Sequence, residues 1–428
     1  MKKQKAKAII VGGSIAGISC AKALSCAGWD VVVIEKSRAP TTASPTGAGL
    51  GLDTLSQKII QSWLPHPEPF YKVTLPLPID QNRATDGEKK VNWVLTRDEN
   101  LNFRVAHWTD LHALLYNTLP REIFHWGHQY ISFCISEDKT SVKVKAKDLQ
   151  TNEIIEVEGD LLVAADGARS SIRQSFLPDT KLRFPGTLLY SGYCAWRGVL
   201  EYSGKNSDTM MGFRKAYPDL GRCLYMELAP GTHSTLCELM YERLNWIWYT
   251  NQPEPQLKGS SVTIKVNSDM ISAMHQEAEK IWIPEFARVI KETKDPFINV
   301  IYDCDPLKQI VWDRVVLIGE AAHPTTPHCG RRTNMSILDA AVLGKCMEKW
   351  KAVNFQMALE EYQSIRLPIT SMQVLHSRKV GRIKQGLTLA GREPFDPMTA
   401  TPEQCEDLQQ KNVPFFADVP ESLNYLFD

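Results

Sequence analysis

The sequence has no charge bias: 49 Lys plus Arg offset 49 Asp plus Glu across 428 residues, a formal net charge of +0. Without a basic face, nothing marks the chain for nucleic acid or an anionic membrane surface. It also lacks a long apolar run, because no stretch reaches the ~18 residues that a membrane span requires. Met1 to Lys7 is basic, but the apolar run Ala8 to Val11 ends at Gly12, too soon for a signal peptide. The ten cysteines show no CxxC spacing, which removes support for zinc-ribbon or thioredoxin-like centres and suits reduced thiols in a cytoplasmic setting. His323 and His328 have no nearby carboxylate or cysteine set to complete a site, so no metal is expected. Internal repeats and low-complexity tracts are also missing.

What is present begins with a crossover unit. Ala6 to Val11 reads as a short buried strand, Gly12 to Gly17 as a turn of small residues and Ile15 to Ala27 as a helix stopped by Gly28. Asp30 to Ile34 reads as a second strand ending at Glu35, giving β-α-β in about 30 residues. The turn Gly12-Gly13-Ser14-Ile15-Ala16-Gly17 has the form of a dinucleotide fingerprint. One glycine permits the tight turn, another the close packing of helix on strand, and the helix N-terminus offers free N–H groups to phosphates. Ser14 stands where a second glycine is usual and has a hydroxyl to offer a phosphate oxygen. Glu35 falls where an acid binds ribose hydroxyls, which disfavours a 2′-phosphate at this site.

Farther on, the proline-rich stretch 63–80 reads as a connection, and Thr109 as the cap of a helix from Asp110 to about Thr118. Residues 122–158 read as strands, and Phe184 to Ile264 as a mostly antiparallel sheet, clearest at Tyr190–Val199 and Leu244–Tyr249. Helices follow near 269–280, 284–293, 335–350 and 354–367. Alternation puts Tyr193 and Arg197 on one face of their strand and Trp196 on the other. Trp246 and Trp248 share a face, either packed on a helix or lining an aromatic pocket.

Two further segments are Asp166-Gly167-Ala168-Arg169-Ser170-Ser171-Ile172-Arg173, after the strand Leu161–Ala165, and Gly319-Glu320-Ala321-Ala322-His323-Pro324-Thr325-Thr326-Pro327, followed by Gly330 and Asn334. With the glycine turn, in this order and spacing, they resemble the FAD-dependent aromatic hydroxylases, the para-hydroxybenzoate hydroxylase-like monooxygenases, over roughly residues 6–370. The serine in the turn looks most like the dihydroxypyridine hydroxylase branch. The resemblance implies FAD, NAD(P)H as co-substrate, and hydroxylation by O2 of a small aromatic or N-heteroaromatic compound through a flavin C4a-hydroperoxide. It implies cofactor contacts from Gly12, Ser14, Ile15, Ala16, Gly17, Glu35, Lys36, Arg38, Gly49 (in Gly47-Ala48-Gly49), Asp166, Gly319, Glu320, Pro327, Thr333 and Asn334, with the helix that begins near Asn334 aimed at the flavin.

Three departures stand against that pattern. Arg331 and Arg332 replace the usual glutamine and glycine, Glu320 replaces aspartate, and Trp108 sits where an FAD-contacting arginine is common. At least one of the two arginines is expected to face the flavin or an anionic substrate. The catalytic residue is not identified; the candidates are His323, Arg331, Arg332, Tyr193 and Arg197. The fold expected is α/β: a discontinuous Rossmann-like FAD-binding domain (1–75, 98–183, 302–385), an inserted antiparallel-sheet substrate domain (76–97, 184–301), C-terminal helices and a tail (386–428). A monomer or homodimer is expected. The alternatives are a flavin-fold binding or regulatory protein that has lost turnover, and an FAD oxidoreductase that does not hydroxylate.

Overall fold

The structure is a computed structural model describing residues 5–40, 48–177, 187–202, 208–257 and 261–413. It opens with strand β1 (Lys7–Val11), helix α1 (Ile15–Cys26) and strand β2 (Asp30–Glu35). β1 is buried along Ala8–Val11 and pairs in parallel with both β2 and the strand Leu161–Ala164. Strands covered on both faces read as continuous apolar runs, and these do. A six-stranded sheet results, in the order Val311–Trp312, Val315–Leu317, Leu161–Ala164, β1, β2, Phe124–Trp126. Helix α1 and the helix Arg331–Trp350 cover it, and Ile18, Leu24, Ile337, Leu343 and Met347 share its core.

An eight-stranded sheet is built from the strands Ile79–Asp86, Val91–Asp98, Leu188–Glu201, Cys223–Ala229, Thr232–Leu239, Arg243–Asn251, Thr263–Ile264 and Phe297–Cys304. Its pairs are antiparallel except Cys223–Ala229 with Ile79–Asp86. The Trp196, Trp246 and Trp248 face packs on helices Ser268–Ile281 and Pro284–Glu292 through Met274, Trp282, Phe286 and Ile290. Those tryptophans are therefore sheet-on-helix packing, and the opposite face, with Tyr193, Ile247 and Tyr249, turns inward. Strand β3 (Gly49–Leu52) pairs with Phe103–His107 and leads into helix α2 (Thr54–Ser62).

Several sequence expectations are corrected. The stretch 63–80 holds a short helix, Glu68–Val73, and the strand Thr74–Leu77. The next helix starts at Trp108, because the His107 ring accepts from the Thr109 backbone N–H at 3.3 Å and is itself the cap. The helix expected from 335 starts at Arg331, one turn earlier. The last long helix runs Phe355–Lys384, straight through Pro368. Its second half buries Ile369, Val374, Val380 and Ile383, and that packing outweighs the one backbone bond proline removes. The 183/184 boundary, Gly47 and residues 414–428 lie outside the described residues. Among the described residues, no helix is long and apolar enough to cross a membrane.

Candidate active site

The glycine turn is fixed by backbone atoms. Gly12 has φ +108°, and a Cβ there would sit 2.3 Å from the Ala165 carbonyl oxygen. A Cβ on Gly17 would lie 1.8 Å from the Gly12 oxygen, so only glycine lets α1 come this close to β1. Ser14 is the extended N-cap of α1, exposed and making no cap hydrogen bond, which leaves its hydroxyl at the helix N-terminus. Ile15 and Ala16 form the first turn behind it. Glu35 closes the turn: its Oε2 accepts the Gly13 N–H at 2.6 Å and its Oε1 accepts the Ser37 N–H and O–H, each at 2.8 Å. Lys36 and Arg38 are exposed just beyond. His112, marked by no motif, is buried and meets the Gly13 carbonyl at 2.9 Å. Burial lowers its pKa, so the ring is neutral and its Nε2 carries the donated proton. Trp108 stacks on this histidine at 4.8 Å, which accounts for an aromatic residue where an arginine is usual.

The Asp166 and Gly319 segments are tied to each other. Asp166 Oδ2 accepts the Ser171 N–H at 2.9 Å, ordering its own turn. Arg173, buried and also missed in the sequence, donates to the Glu320 and Ala321 carbonyls at 3.1 and 2.9 Å and to that of Ala168. Gly319 (φ +57°) has no room for a Cβ, which would meet Ala16 and Ser336 at 2.9 Å. Its N–H donates to Asp339 at 2.8 Å, and Asp339 also holds His323 at 2.6 Å and Arg366 at 2.8 Å, fully buried. Burial raises the Asp339 pKa, but the contacts from His323 and Arg366 outweigh it and hold it down to about 2. His323 is thus turned under the Gly319 loop rather than into the cavity.

The arginines at 331 and 332 part ways. Arg331 is 1% exposed and is paired with Asp53, the N-cap of α2. Arg332 meets Glu320 at 3.1 Å, donates to the Thr325 carbonyl at 2.7 Å, and lines the cavity. Asn334 also faces protein: it accepts the Asp53 N–H at 3.0 Å and donates to the Gly51 and Gly330 carbonyls at 2.9 and 2.6 Å. It pins the loop to β3, while Pro327, Cys329, Gly330 and Thr333 present themselves to the cavity. Cys329 (φ +63°) and Gly330 (φ +62°) are both left-handed, which sets the backbone turn before the helix.

The cavity measures about 480 Å³. One wall is β3, Trp108 and the 327–333 loop; the other is the inward face of the large sheet, with Ile247, Tyr249, Phe297 and His233. Glycines at 49 and 51 keep the first wall flat, and a Cβ at Gly49 would strike Asn245 at 2.8 Å. Among the described residues the lining contains Arg197, Arg332 and Lys384 and no carboxylate. Tyr193 does not line the cavity but lies behind His328.

A hydrogen-bond chain with one direction backs this wall. Asn251 Nδ2 donates to the Gly231 and Gln385 carbonyls at 3.0 and 2.9 Å, so its Oδ1 must accept from Gln385 Nε2, at 2.8 Å. Gln385 Oε1 then accepts from His233 Nδ1 at 2.6 Å, leaving His233 Nε2 to accept from His328 Nε2 at 3.2 Å. His328 Nδ1 is left facing the Tyr193 hydroxyl at 3.4 Å. Burial drives both histidines well below their usual pKa, and the neighbouring cation Lys384 adds to it, so both rings are neutral. All four ring nitrogens are engaged, so neither histidine offers a free base to a ligand.

Comparison with known proteins follows this geometry. A family model described as FAD binding domain-like matches residues 190–303. The chain is 29% identical to an aurachin C monooxygenase/isomerase of Stigmatella aurantiaca, over 54% of this chain and 53% of that relative, about half its length. It is 25% identical to 2,6-dihydroxypyridine 3-monooxygenase of Paenarthrobacter nicotinovorans, over 79% and 82% of the two chains. A solved structure of 2,6-dihydroxypyridine-3-hydroxylase from Arthrobacter nicotinovorans superposes with a TM-score of 0.73 at 21% identity, over 92% of this chain and 96% of that one, and shares its fold.

Proposed function

We propose, from the chain's membership of the FAD-dependent aromatic hydroxylases, that it inserts one oxygen atom of O2 into a small aromatic or N-heteroaromatic ring with NAD(P)H as reductant. The observation that carries the reading is the cavity of about 480 Å³ between the glycine-flattened wall at Gly49–Gly51 and the inward sheet face. Its volume suits a flavin ring edge and a single small substrate. The residues present fit FAD: the N-terminus of α1, with Ser14 and the bare Gly12–Gly17 cradle, takes the pyrophosphate. Glu35 keeps acceptor capacity for the ribose beyond its three protein donors. FAD, when bound, supplies the electron storage and oxygen activation.

The chain's own part is to bind, orient and exclude water. Ile247, Phe297, Val105 and Leu77 make the cavity apolar, which strengthens the polar contacts inside it. Arg332, braced by Glu320 and the Thr325 carbonyl, and Arg197, for which no hydrogen bond is seen among the described residues, are the groups placed to steady negative charge on flavin or substrate. Arg331, turned into Asp53, leaves the cavity free, which argues against the reading as an inactive binding protein. NAD(P)H has no fingerprint of its own in the sequence and binds transiently. A cytoplasmic location is part of this proposal, supported by ten cysteines that pair in no disulfide. The test is to purify the protein, record its flavin absorption, and follow NADH and NADPH oxidation against hydroxypyridines and hydroxybenzoates. Stimulation by one ring class is expected; a colourless protein that FAD does not restore would overturn the reading.

A further inference from the structure

Lys384 is the last residue of the long helix Phe355–Lys384 and is 3% exposed. Among the described residues its Nζ reaches the Asn82 Oδ1 at 3.3 Å and the Met226 sulfur, both weak neutral acceptors. It nevertheless lines the cavity, beside Gln410. Gln410 comes from the chain beyond that helix: its backbone N–H donates to Asp80 Oδ2 at 3.0 Å, and its buried side-chain oxygen has no partner among the described residues. Leu408 and Cys405 pack with Met226, Leu228 and Ile383, so the C-terminal segment is fastened over this end of the cavity. A buried ammonium without a close carboxylate is costly unless something anionic meets it. Burial lowers the Lys384 pKa, and the charge of Asp80 only partly offsets this; burial pushes Asp80 itself up to about 6. The local counter-charge is therefore weak, and an anion arriving from the cavity would find a desolvated cation ready.

We infer that Lys384 is a specificity-determining residue that reads an anionic oxygen on the substrate ring, a carboxylate or an ionised hydroxyl, with Gln410 beside it closing the subsite. This deepens the function proposed above and rests on it, since it takes the cavity to be the substrate site. It separates Lys384 from Arg332 and Arg197, which approach from the first turn of the helix Arg331–Trp350 and from the strand Leu188–Glu201. It also gives the segment that follows the long helix a role, because the subsite needs Gln410 held in place by Asp80.

The test uses FAD-loaded protein and two probes of one shape, benzoate and benzamide, titrated by calorimetry at neutral pH. The unvaried protein should bind benzoate at least ~10-fold more tightly than benzamide, the scale of a charge-assisted hydrogen bond. Lys384→Met, a neutral side chain of similar length, should bring the two to within about twofold with FAD content unchanged. Asp80→Asn removes the weak counter-charge and should shift the ratio the opposite way, tightening benzoate by about threefold or more. The inference is overturned if the Lys384→Met protein keeps the benzoate preference, if the unvaried protein has none, or if Lys384→Met loses FAD, which would make Lys384 a cofactor residue. Flavin content and NAD(P)H oxidation by the unvaried protein report separately on the proposed function, so an active flavoprotein without a Lys384-dependent ratio refutes this inference alone.

Discussion

The turn that would hold the nucleotide half of FAD is made by neighbours in sequence, and its tolerances are set by backbone; the cavity that would hold the ring is made by residues drawn from Ala48 to Gln410. In the first, a Cβ in the wrong place meets a carbonyl that cannot move. In the second, shape and charge come from separate elements, each with its own support: Glu320 against Arg332, Asp80 behind Gln410, and Arg331 on Asp53 beneath the wall that Arg332 presents. A backbone site should therefore fail all at once, while a side-chain site should fail in parts and with different readouts.

The largest effect should come from Gly17→Val. With only 1.8 Å between the new Cβ and the Gly12 oxygen, the loss should exceed ~3 kcal/mol, in flavin affinity or in stability. A yellow protein with an unchanged melting curve would break the comparison at its strongest point. Next comes the arginine pair. Arg331→Met strands a buried Asp53 carboxylate and should cost ~3–5 kcal/mol of stability. Arg332→Met, at a part-exposed pair, should cost under ~1 kcal/mol and register in ligand affinity instead. Equal losses in urea unfolding would erase the distinction between support and lining.

The acid limb of stability tests the Gly319 loop. Asp339 has its pKa depressed from 3.8 to about 2, so its contribution is fully present above about pH 3.8 and is lost as the pH falls through 2. The shift corresponds to about 2 kcal/mol. Unfolding free energies measured from pH 5 to 2 should show that slope, and a flat profile would contradict the ion-pair geometry. A modest effect should be that of Glu35→Gln, which keeps the shape but weakens two backbone contacts and the proposed ribose contact. FAD affinity should fall by roughly 1–2 kcal/mol in equilibrium dialysis. No change would remove Glu35 from the site.

These differences also explain what could be read from the sequence. The crossover unit was legible because its period, its glycines and its acid lie within one short stretch. The large sheet was legible from alternation, which placed Trp196 opposite Tyr193 and Arg197. His112, Arg173 and Lys384 were not, since each acts across long sequence distances and sits in an ordinary helical pattern. Spacing put at least one of Arg331 and Arg332 at the flavin or substrate but could not say which; adjacent residues on a helix point about 100° apart, so Arg331 turned inward to Asp53 while Arg332 lines the cavity. His323 looked like a base because it stands in a loop beside the cofactor motif; the aspartate that captures it comes from the following helix.

The central claim, that the backbone-fixed cradle and the side-chain cavity together make one oxygen-inserting site, is tested most directly by isotope labelling. Flavin-loaded protein would be given NAD(P)H, heavy-labelled O2 and the ring compound that most stimulates its oxidation, and the product analysed by mass spectrometry. The account predicts one labelled oxygen atom on the ring. Product carrying oxygen from water, or reductant consumed with an unmodified ring for every compound tried, would contradict it.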